Sequence, residues 1–195
     1  MKYFITLSSM LIIHFSLIRS NGNVIETAAL NRHALVVSAQ TLNGMNLDGK
    51  NMDEYAQHYF ENTGQVLDTV MFAEIIKNAA SADTSAWRNA DLSKAIVVNS
   101  REDNISKDSL IKKLKLSGKK QIRYYTRFAN RYNETDATDK NIYYFSKPVL
   151  SNSGKFAVIQ WDNSHGDSEG GAGISLYQLD GGGWEEIGEI SSWKN

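Results

Sequence analysis

The densest set of functional groups in the chain is the run Asp162-Asn163-Ser164-His165-Gly166-Asp167-Ser168-Glu169-Gly170-Gly171. Within it, Gly166-Asp167-Ser168-Glu169-Gly170 carries the letters of a Gly-x-Ser-x-Gly nucleophile elbow, where glycines permit the tight turn that exposes a serine. An elbow leads into a helix on a parallel sheet, whereas Gly171-Ala172-Gly173 leads into another strand pattern. The serine motif of chymotrypsin-like proteases has glycine where Glu169 stands, and the helical middle of this chain does not suit a double β-barrel. A metal offers a second chemistry: Asp162, Asp167 and Glu169 supply hard oxygens that calcium would accept, Asn163 a carbonyl and His165 an imidazole. Their spacing departs from the twelve-residue calcium loop with its late glutamate. The third reading, a solvated glycine-rich hairpin loop with local hydrogen bonds, is the expectation carried forward. His33 and His58 have no ligand-spaced partner and read as ordinary structural or surface histidines.

Two further sets point to binding. Lys119, Arg123, Arg127 and Arg131 recur every four residues, so on a helix they form one basic stripe suited to an anion, with Tyr124, Tyr125 and Tyr132 interleaved. Trp161, Tyr177, Trp184 and Trp193 form an aromatic set that could stack on a sugar ring as a platform, the first three being its central candidates, although strand aromatics are as a rule core or cross-strand partners.

The elements that must position these groups follow from periodicity. Residues 23–50 are mixed and give neither a helix nor a strand pattern. Asp53 to Phe60 predicts a short helix closed by Asn62-Thr63-Gly64, and Val66 to Ala80 a second, with Leu67, Val70, Met71, Ile75 and Ala79 near one face. Ala95-Ile96-Val97-Val98 reads as a buried strand or a helix end. Ser106 is the expected N-cap of a helix through Leu116, and Lys119 to Tyr132 the next, its apolar side formed by Ile122, Tyr125, Phe128, Ala129 and Tyr132. From Ile142 the period changes to two: Ile142–Ser151, Lys155–Trp161, Gly173–Leu179 and Trp184–Trp193 predict an antiparallel meander of four strands, with Pro148 at an edge or a bulge. The fold class expected is α+β, one domain over 23–195, with a helical part at about 51–132 and a β meander at about 142–193.

Composition bounds the function classes. The chain has 195 residues, no cysteine, and 21 Lys+Arg against 22 Asp+Glu. Near-neutrality excludes a globally basic nucleic-acid binder, and the missing thiols exclude zinc ribbons, cysteine nucleophiles and thiol-linked lipid anchors. The neutrality is nonetheless uneven: Lys107 to Arg131 holds nine basic residues and one acidic, while Lys155 to the end holds two lysines against seven acidic residues. One account of this pattern is complementary faces together with ordinary solvated helix surfaces, and the other is an anion-binding face. Lys2, the apolar run Tyr3–Ile18 and Arg19-Ser20-Asn21-Gly22 have the layout of a secretory signal peptide cleaved after about residue 20 to 22. The run is shorter than the roughly 20 residues of a membrane span and is interrupted by polar residues. A secreted or periplasmic monomer, held together by its core without disulfides, is expected.

Asp83-Thr84-Ser85-Ala86-Trp87, Ile142-Tyr143-Tyr144-Phe145-Ser146-Lys147-Pro148-Val149, Lys155-Phe156-Ala157-Val158 and Gly183-Trp184-Glu185-Glu186-Ile187 together resemble a group of uncharacterised exported proteins of Bacteroidetes-type bacteria, from about Val66 to Trp193. The resemblance implies a small exported α+β domain ending in a β meander, with no activity to carry over. Some relatives bear cysteines in the loop matching Ser164 to Gly171; their absence here counts against a shared redox or metal chemistry. The functional expectation is therefore non-catalytic binding of a polyanion or a protein partner, with no cofactor. A small hydrolase or metal-dependent enzyme using residues 162–169, and an immunity- or inhibitor-type module, are the alternatives.

Overall fold

The computed structural model describes residues 24–42, 45, 47–114, 119–163 and 170–194. The segment expected to be a signal peptide and Ser164–Glu169 lie outside them. Among the described residues five α-helices precede a C-terminal antiparallel sheet, the α+β order expected. The mixed stretch after residue 23 resolves into a helix, α1 (24–31), and a short strand, β1 (Val36–Ser38). Then come α2 (Met52–Thr63), α3 (Thr69–Ala79), β2 (Ile96–Val98), α4 (Lys107–Leu114) and α5 (Lys119–Glu134).

The caps explain the boundaries. Gly64 closes α2 at φ 70°, a left-handed backbone that costs a residue without Cβ little. Asp68 accepts hydrogen bonds from Val70 N and Met71 N, which moves the start of α3 three residues past the expected Val66. Ser106 Oγ accepts from Ser109 N and starts α4 where the sequence places it.

The sheet comprises β3 (Tyr144–Phe145), β4 (Val149–Leu150), β5 (Phe156–Asn163), β6 (Gly171–Asp180) and β7 (Gly183–Lys194). The first expected strand is thus two, both paired to β5. Pro148 lies between them and has no N–H for a ladder. Ahead of it, Ser146 N donates to Gln160 O and Gln160 N donates to Ser146 Oγ, so a side chain takes over from the backbone. Two register shifts interrupt the β6–β7 ladder, around Ile187 and Ile190. β1 and β2 pair in parallel, and β1 reaches the main sheet through Tyr143, whose N–H donates to Val36 O while its carbonyl accepts from Ser38 N.

Both faces of the sheet are covered. Ala157, Ile159, Tyr177 and Trp184 pack with Val24, Ile25, Ala28 and Ala29 of α1 and with Trp87. Val158, Ile174, Leu176 and Ile190 pack with Tyr55 and Tyr59 of α2 and with Phe72 and Ile75 of α3. Strand alternation sends Val37 into the first of these clusters and its neighbour Val36 into a third, formed with β2, α4 and α5. Among the described residues no helix is long and apolar enough to cross a membrane.

Candidate functional site

The most connected polar group in the described structure was not singled out by the sequence. Helix α1 ends where His33 N donates to Leu30 O and Ala34 N donates to Ala29 O, with His33 at φ 52°. This doubled closure fixes the direction in which the chain leaves the helix and turns Arg32 onto the sheet. Arg32 Nη2 donates to Glu186 Oε1 at 2.9 Å and to Ser175 Oγ at 2.6 Å, and Nη1 donates to Glu186 Oε2 at 3.1 Å and to Tyr177 OH at 3.0 Å. Tyr177 OH donates a hydrogen bond to Glu186 Oε2 at 3.2 Å, and Asn31 Nδ2 donates to the same oxygen at 2.9 Å. Glu189 adds a longer ion pair at 3.4 Å. The register of the hairpin sets this arrangement, because Tyr177 stands opposite Glu186 and Ser175 opposite Glu189.

The guanidinium also lies 4.5 Å above the centre of the Trp161 ring. Below that indole runs the β6 backbone at Gly173, where a Cβ would come within 3.2 Å of the ring and 2.8 Å of Ser191 O. Glycine there is what lets the ring lie flat. The resulting cleft, about 420 Å3, is lined by Arg32, Tyr143, Trp161, Asn163, Glu186 and Glu189. Burial pushes the Glu186 carboxyl up, but the hydrogen bonds and charge of Arg32 outweigh it and hold the carboxyl below the usual range. Burial pushes the Tyr177 phenol well above its ordinary value. At neutral pH the cleft is therefore lined by a locked carboxylate and a permanent cation, both bonded to the fully buried Tyr177 phenol, which keeps its proton. Such groups orient and bind; they are not poised for proton transfer.

The predicted sites divide. Of the oxygen set, Asp162 is at the end of β5, while Asp167 and Glu169 lie outside the described residues, as do His165 and Ser168. Among the described residues no group of three His, Cys, Asp or Glu side chains is placed to hold a metal. Of the aromatic set, Tyr177 and Trp184 are buried, Trp161 is capped by Arg32, and Trp193 is exposed near the end of β7, so the four rings do not share one open surface. The physical reason is that both sheet faces are covered by helices, so inward rings become core. Of the basic stripe, three members are described on α5. Lys119 begins α5, its side chain outside the described set, and Arg123, Arg127 and Arg131 are all exposed.

Two of the motifs behind the resemblance meet in space. Trp87 Nε1 donates to Phe145 O at 3.0 Å, and Lys147 Nζ sits 3.6 Å above the Trp87 ring. Burial lowers the Lys147 ammonium, against the opposing pull of Asp91 and Asp83. This contact clamps the segment after α3 to the edge of the sheet. Arg32, Ser175 and Glu186 had a faint signal at most: a hairpin register drawn across Gly181-Gly182 places Glu186 opposite Tyr177 and implies a cationic partner. Nothing local identifies that partner as a residue more than 140 positions earlier. No family model, curated protein or solved structure matches the chain.

Proposed function

We propose that the protein is an exported, non-catalytic binding module whose α5 face engages an anionic polymer. The observation that carries this reading is the fate of the charges. The ion pairs among described residues join Arg32 to Glu186 and Glu189, and Arg88 to Asp91. None links Arg123, Arg127 or Arg131 to the acidic β6–β7 hairpin, so these guanidiniums are left unpaired by that hairpin and open to an external anion. Three exposed guanidiniums at successive turns, about 6 Å apart along the axis, present a linear array to a linear polyanion. The amino-terminal layout supports export.

The test is binding of fluorescent heparin or polyphosphate at low salt. Changing Arg123, Arg127 and Arg131 together to glutamate is expected to weaken binding at least about tenfold and to flatten its dependence on salt. Absence of binding by the unaltered protein at low ionic strength would end the reading. A protein partner is a second reading, favoured by Phe60, Val66 and Val70, which lie 54, 86 and 74% exposed around the α2–α3 turn.

A further inference from the structure

A cavity of about 420 Å3 opens between the end of α1 and the first turns of α5, walled by Leu30, His33, Ala34, Leu92, Tyr124 and Tyr125. Its position matters as much as its lining. Tyr124 is 61% exposed and sits one residue after Arg123 and three before Arg127, so the same side chain borders the cavity and the stripe. Its ring meets the edge of Tyr125, with centroids 5.1 Å apart and planes at 85°. On the other side Lys94 stands at the rim. Glu26, also among the lining residues, accepts a hydrogen bond from Ser93 N.

We propose that this cavity receives a base of a single-stranded nucleic acid whose phosphates run along Arg123, Arg127 and Arg131; the inference rests on the polyanion reading and narrows it. The chemistry discriminates between anionic polymers. An acidic polysaccharide or polyphosphate offers charge but no flat apolar group, so it has no use for a tyrosine-edged apolar cavity beside the charges. A single strand carries one charge and one planar ring per nucleotide, and both halves of that repeat find a counterpart here. Binding by guanidinium row plus aromatic side chain tolerates any base, because every base has a π-face. The strand must be unpaired, since a duplex keeps its bases stacked inside.

The experiment compares fluorescein-labelled oligo(dT) with a heparin oligosaccharide of similar charge, by anisotropy at low salt, on the unaltered protein, the triple arginine-to-glutamate variant, and Tyr124→Ala. Tyr124 is exposed, so its truncation leaves the packed core intact, and circular dichroism checks that it does. The expected result is that Tyr124→Ala weakens oligo(dT) binding by about tenfold, leaving heparin binding unchanged, while the triple variant weakens both. Loss of affinity for both ligands to the same degree in Tyr124→Ala, or heparin binding without oligo(dT) binding, overturns the inference and leaves the polyanion reading standing. Failure of both ligands to bind the unaltered protein overturns both.

Discussion

Arg32 shows how one residue can decide the join between the two ends of a chain. Its side chain is 10% exposed and that of Glu186 18%, so the pair has left most of its water behind. A desolvated pair of this kind need not stabilise more than an apolar pair would, but removing one partner strands the other. Arg32→Ala is accordingly expected to lower the unfolding free energy by about 3–5 kcal/mol, measured by urea denaturation. The pH dependence follows from the same geometry. Because the folded Glu186 carboxyl is held below its unfolded value near 4.3, its contribution is complete above that pH and is lost as acid titrates through the folded value. Tyr177 acts at the other end: its raised phenol contributes below about pH 10 and loses that contribution as pH rises further. Glu186→Gln should therefore flatten the acid limb of a stability–pH profile and leave the alkaline limb sloping. An unchanged acid limb would show that other carboxylates dominate it.

Helices and strands were legible to different degrees, for reasons that lie in their surroundings. Helices α2, α3 and α4 each bury one side and carry a cap or a closing glycine, so period and punctuation agree with the structure, and α5 buries Ala129 and Tyr132 of its expected apolar side. Residues 24–38 gave no clear period because α1 spans only about two turns: Val24, Ile25, Ala28 and Ala29 lie on one buried face, but the repeat ends there as the chain turns at His33 into β1. The alternation in β5 was visible, but its two sets turn out to serve two different cores, Ala157 and Ile159 on one side and Val158 on the other. Helix α2 approaches β7 most closely at Gly188, where a Cβ would stand 2.5 Å from Thr63 Cγ2 and 2.7 Å from Tyr59 Cε2. Gly188→Ala is expected to push the helix off the strand and to cost about 1–3 kcal/mol, read as a lowered melting temperature. A neutral effect would mean that α2 slides freely over that strand.

For the whole molecule, the near balance of 21 basic and 22 acidic residues hides a spatial division. Arginines of α5 face solvent on one helix, while two of the C-terminal glutamates are consumed by Arg32. A protein organised in this way should interact with its surroundings through α5, and that interaction should weaken with salt. Export belongs to this scale as well. When the full chain is expressed in a bacterial host, the protein recovered outside the cytoplasm is expected to begin near residue 21 to 23, as determined by intact mass. Recovery of the uncut chain in the membrane fraction would contradict a cleaved leader.

The sequence by itself determined the α+β order, the helices with caps, the meander and its edge proline, and the basic row, because each rests on contacts between residues near one another along the chain. Register across a short turn and periodicity on one helix are local properties. Only the tertiary structure decided that both sheet faces are covered, which converts Tyr177 and Trp184 from a possible platform into core. It alone brought Arg32 to Glu186 and Ser175, and set Tyr124 beside a cavity walled by α1. Those partners are separated by many residues, and which of them meet is fixed by how helices pack on a sheet, a choice made by the summed burial of apolar surface rather than by any short motif.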